Sequence, residues 1–86
     1  MDEWLDRFAS ALGERAPERE EIGAMLQLSR AVAHGAERKL APLSAYIAGI
    51  HVGRRAAEGV TVAEALGEIR EVARDLLPDV DQEPRA

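Results

Sequence analysis

The chain has 86 residues and a formal charge of −5, from 16 acidic and 11 basic side chains. It is 47% hydrophobic, yet it has no cysteine and only three aromatic residues, Trp4, Phe8 and Tyr46. This length allows one small domain. The missing cysteine excludes disulfides, thiolate metal sites and cysteine nucleophiles, and the acidic balance opposes nucleic-acid binding, which needs a basic face.

No apolar run approaches the ~18 residues of a membrane span, and no signal-peptide pattern opens the sequence. A cytoplasmic protein is expected. The charges are segregated. Residues 1–21 hold seven acids and three bases, net −4; residues 22–63 hold five bases and two acids, net +3; residues 64–86 return to seven acids and three bases, net −4. A cationic centre lies between two acidic flanks.

The first predicted helix covers residues 2–12. Trp4, Leu5, Phe8, Ala11 and Leu12 share one stripe at ~100° per residue. Asp2 suits the N-cap and Gly13 the stop. The second helix, over 17–34, opens on Pro17 and the acids Glu18, Glu20 and Glu21, which favour an N-terminus. Ile22, Met25, Leu26, Ser29, Val32 and Ala33 form its inner stripe, and Gly35 is the expected left-handed residue after it.

The third helix, over 42–58, begins at Pro42 and stops before Gly59. Leu43, Tyr46, Ile47 and Ile50 give it a wide apolar arc, which predicts a central helix with neighbours on more than one side. Gly49 and Gly53 cost a helix roughly 2 kcal/mol against alanine, and close packing of a neighbouring helix is the expected compensation. The fourth helix, over 61–77, starts at a T-x-x-E capping box, Thr61 to Glu64, and ends at Pro78. Residues 79–86 lack apolar periodicity and are expected to be a disordered tail.

No segment alternates with period two and no hairpin signal is present. The expected fold is therefore all-α: one compact four-helix domain over residues 1–78 with short, antiparallel connections.

Little of the sequence points to catalysis. Neither His34 nor His51 has a ligand-type residue three positions before it, so no zinc or di-iron pattern forms and no metal or other cofactor is expected. The serines and Thr61 occupy ordinary helix or cap positions, and no phosphate-binding glycine loop occurs. Glu64, Glu68, Glu71 and Asp75 fall on one side of the fourth helix and read as a solvated face. The segment from His34 to Pro42 is the richest, with Glu37, Arg38 and Lys39 between two helix ends. It reads either as an anion or partner site or as a loop closed by its own ion pair. With His51 and Arg55, on the exposed strip of the third helix, His34, Glu37, Arg38 and Lys39 are the candidate binding residues.

Three strings carry a family resemblance: W-L-D-R-F-A-S-A-L-G from Trp4, V-A-H-G-A-E-R-K-L-A-P-L from Val32, and Y-I-A-G from Tyr46. Together they resemble a small uncharacterised helical family of GC-rich bacteria, found alone or appended to a molybdenum cofactor guanylyltransferase domain. The resemblance spans roughly residues 2–77 and places His34, Glu37, Arg38, Pro42 and Leu43 in the motif. It implies an accessory role in molybdenum cofactor (molybdopterin guanine dinucleotide) biosynthesis, with the guanylyltransferase as protein partner. The enzyme's own glycine-rich nucleotide site is absent. The leading expectation is a non-catalytic interaction module. A small-anion or nucleotide-binding module using the cationic centre comes second, and a structural homodimer third.

Overall fold

The computed structural model describes residues 3–77. The expected Asp2 cap and the expected tail over 79–86 lie outside these residues. Four α-helices form, α1 (Glu3–Leu12), α2 (Arg19–Gly35), α3 (Ala41–Ala57) and α4 (Val62–Leu76), with a 3-10 turn at Arg38–Leu40 leading into α3. No strand occurs among the described residues. The domain is all-α with four helices, as its periodicity predicts.

The helix ends follow local chemistry. Gly13 and Gly59 adopt φ of +76° and +86°, a region that L side chains rarely enter, and they end α1 and follow α3. Gly35 does not. It remains helical, and the chain leaves α2 at Ala36 with φ −127°, whose N–H donates to the Val32 carbonyl at 2.8 Å. Pro17 lies just outside α2, and extended Glu18 is the N-cap. Thr61 Oγ1 accepts from the Glu64 N–H at 3.1 Å, while the Thr61 N–H donates to Glu64 Oε1 at 3.2 Å, so the capping box closes in both directions.

Helices α2, α3 and α4 each pack against the other two. Val52, Ala65 and Leu66 form the centre, with Ala24, Met25, Val62 and Ile69 around them. Leu66, 2% exposed, is the one large side chain among the described residues that is fully enclosed.

Helix α3 is inverted relative to expectation. Its buried residues are the small Ala41, Ala48 and Val52, whereas Leu43, Tyr46, Ile47 and Ile50 are exposed. Small inner side chains let α2 and α4 approach the α3 backbone on one side, and a three-helix body offers no fourth neighbour for the other. Gly49 and Gly53 are exposed as well, and a Cβ added at either meets nothing within 4 Å. The close packing expected of them is absent.

Helix α1 stands apart. No Cα of α1 comes within 8 Å of another helix, and Ala9 is its one buried residue. Trp4 and Phe8 stack on each other, with centroids 5.5 Å apart and planes at 17°, yet they are 64% and 50% exposed. The connection to α2 is held firmly at its far end. Arg15 binds Glu21 through two nitrogens, Nη1 to Oε1 at 2.6 Å and Nη2 to Oε2 at 2.7 Å. Glu21 also accepts the Glu18 N–H at 2.7 Å, which explains why this carboxylate sits buried near a helix start.

Candidate functional site

Two polar assemblies stand out, and they take up three of the six candidate residues, His34, His51 and Arg55. The first is on the α3–α4 seam. His51 and Arg55 are one helical turn apart on α3 and both face Glu68 of α4. Arg55 Nε donates to Glu68 Oε1 at 3.0 Å and Nη2 to Oε2 at 2.8 Å, and a third nitrogen, Nη1, reaches Glu58 at 2.6 Å. His51 Nε2 lies 2.7 Å from Glu68 Oε1, and Arg54 Nη2 lies 3.3 Å from His51 Nδ1. Nδ1 is therefore the acceptor in this arrangement, and Nε2 carries the proton given to Glu68.

Hydrogen bonds from Arg55, and then from His51, hold the Glu68 carboxyl at a pKa of about 2, and the same carboxylate raises that of Arg55. Glu58 is lowered too, chiefly by its bond from Arg55. The cations expected to be open for binding are thus engaged by carboxylates of their own chain. Glu68, expected on a solvated face, is the hub of this cluster. A general acid or base needs a pKa near the working pH, and this carboxylate is displaced the wrong way.

The second assembly is a groove of about 790 Å³ between α2 and α4. Leu28, Ile69 and Leu77 supply apolar lining above the buried Leu66, and Arg30, His34 and Arg70 supply cationic or donor groups. Arg30 and His34 are four residues apart on α2, so they stand one above the other on the same face. Arg74, four residues beyond Arg70 on α4, lines the same groove. The His34 ring makes no hydrogen bond to the last α2 carbonyls. Of the candidate residues only His34 lies here. Arg30, Arg70 and Arg74 are not among the candidates read from sequence, although the i,i+4 spacings Arg30–His34 and Arg70–Arg74 are a readable signal.

Glu37, Arg38 and Lys39 belong to neither assembly and are exposed at the turn before α3. Lys39 Nζ is 3.9 Å from Glu37 Oε1, and both side chains are largely in solvent. Arg38 makes no ion pair among the described residues. These three are not brought together with His34, His51 or Arg55 into one site.

Among the described residues, no three His, Asp or Glu side chains gather as a metal site, and no helix is long and apolar enough to cross a membrane. Among the described residues, no buried side-chain nitrogen or oxygen is left without a hydrogen-bond partner.

No curated protein and no solved structure matches this chain. A family match covers residues 1–84, nearly the whole length. The chain belongs to that family, described as a domain of unknown function (DUF6457).

Proposed function

We propose that this chain is a non-catalytic helical interaction module whose α2–α4 groove seats an acidic segment of a partner protein. The observation that carries this reading is the composition of the groove: apolar lining from Leu28, Ile69 and Leu77 beside Arg30, His34 and Arg70. A partner helix with an apolar stripe and acidic flanks meets both requirements. The resemblance to the domain appended to molybdenum cofactor guanylyltransferase makes that enzyme the first partner to test, and molybdopterin guanine dinucleotide biosynthesis the process. Titration calorimetry of the chain against a molybdenum cofactor guanylyltransferase is the experiment. Binding that falls at least tenfold in R30E/R70E, with helicity unchanged, supports the reading. Undiminished binding by that variant removes the groove from it, and absence of binding removes this partner.

The same groove favours a second reading, a small-anion or nucleotide site, because Arg30 and Arg70 line one cavity and arginine binds phosphate well. A thermal-shift screen with nucleotides and inorganic phosphate separates the two. A rise in melting temperature with a nucleotide alone, lost in Arg70→Ala, supports the anion site over the protein partner.

A further inference from the structure

A different surface leads to a separate conclusion, independent of the α2–α4 groove. Among the described residues, two helices carry stripes of exposed large apolar side chains. One is the α1 stripe of Trp4, Phe8 and Leu12, and the other is the outer face of α3 with Leu43, Tyr46, Ile47 and Ile50. Exposed large apolar side chains scattered singly are ordinary, but contiguous stripes on two helices mark an interaction surface.

We infer that α1 docks on the outer face of α3 of a second copy, and that the exchange is reciprocal, giving a closed dimer. The two faces match in length. Trp4 to Leu12 spans about 12 Å of helix and Leu43 to Ile50 about 10 Å, at 1.5 Å per residue. They match in charge. Helix α1 carries Glu3 and Asp6 against Arg7, and the turn that leads into α3 carries Arg38 and Lys39. Arg38 and Lys39 lie at one end of the α3 stripe, while Glu3 and Glu14 flank the ends of α1. Gly53 and Ala57 fall beside Tyr46 and Ile50 at helical spacing, so an approaching helix meets no bulk there.

The area is adequate. Seven large side chains per seat, each with roughly 100 Å² to cover, bring two seats to on the order of 1,400 Å², within the range of stable interfaces. A second copy also supplies one arm for each face, which is the stoichiometry a two-fold dimer requires.

The α1–α2 connection favours the second copy over the chain's own α3. Gly13 turns the chain, the Glu14 N–H donates back to the Ala9 carbonyl at 2.9 Å, and the Arg15–Glu21 clamp fixes the start of α2. In this arrangement α1 stays clear of its own body.

The test is sedimentation equilibrium and Trp4 fluorescence on the full chain, from about 1 to 100 μM. The expected result is a mass of twice 9.3 kDa at the upper end, a Trp4 emission that shifts to the blue as concentration rises, and weakening by salt. Phe8→Glu disables the arm and Ile47→Glu disables the face, so each variant alone should be monomeric. Mixed together they should associate, because one intact arm and one intact face remain. Both side chains are at least half exposed, and circular dichroism confirms that the body is still folded. Three outcomes overturn the inference. They are a wild-type monomer throughout, a dimer that Phe8→Glu leaves intact, and a Trp4 emission that is blue at every concentration, which places the arm on its own chain. None of these bears on R30E/R70E, so the proposed function stands or falls separately.

Discussion

Arg55 grips Glu68 through two nitrogens, at 3.0 and 2.8 Å, and so ties α3 to α4 along their seam. With His51 on the same carboxylate, this is the main polar tie across a seam whose apolar part is Val52, Ala65 and Leu66. The folded state holds Glu68 at about 2, below its ordinary 4.5. Glu21 and Glu58 are lowered as well. A carboxyl with a lowered folded pKa stabilises fully above its unfolded value and loses that contribution as pH falls towards the folded one.

The melting temperature should therefore hold near neutrality and fall between about pH 4.5 and 2. Glu68→Gln should lower it at pH 7 and flatten its acid dependence, because one of the titrating groups is gone. Melting curves at half-unit pH intervals check this. An equally steep acid limb in the variant would reject Glu68 as a principal titrating group.

Glu21 is 7% exposed and holds both the Arg15 guanidinium and the Glu18 N–H. Glu21→Ala returns the half-exposed guanidinium to water and leaves the Glu18 N–H without its acceptor. A loss of about 1–3 kcal/mol is expected in urea denaturation. Arg15→Ala should cost a similar amount, since it removes the cation and leaves the nearly buried Glu21 carboxylate with the Glu18 N–H alone.

Leu66→Ala empties the centre of the body. About 2–5 kcal/mol should be lost, a large share of the margin of a domain this small. The denaturation midpoint should drop steeply with little change in slope.

The helices were legible because their signals are local. Thr61 and Glu64 mark the α4 start, Gly13 and Gly59 the two left-handed turns, and Pro42 the first turn of α3. The facing of α3 was not. Periodicity reports where bulky apolar residues cluster, and on this helix they cluster on the side away from α2 and α4, while alanines and Val52 form the packed side. The Glu68 cluster was hidden for a different reason. Its partners are 13 and 17 residues away, and their meeting depends on the angle between two helices. The cationic island was visible as composition, but its neutralisation around Arg55 required the fold.

Gly49 offers a direct measure of the unfilled side of α3. With nothing within 4 Å of an added Cβ, Gly49→Ala should stabilise the chain by up to about 1 kcal/mol through helix propensity. A fall in the melting temperature would show that a neighbour approaches this position.

Arg38 is exposed and makes no ion pair among the described residues. Arg38→Ala should change stability by less than about 0.5 kcal/mol. A larger loss, seen in chemical denaturation, would assign it to the structure of the turn before α3.

The isolation of α1 also sets what can be seen of folding in time. The three body helices follow one another in the chain, and their connections are only a few residues long. Such sequence-local topologies reach the native state in about microseconds to milliseconds. Trp4, the single tryptophan, sits on a helix that takes no part in that step. In a refolding experiment, far-ultraviolet ellipticity should recover first and independently of concentration. Indole emission should follow in a slower, second-order phase whose rate rises with protein concentration. Non-coincident probes would here signify assembly after folding and not a populated intermediate on the path to the body.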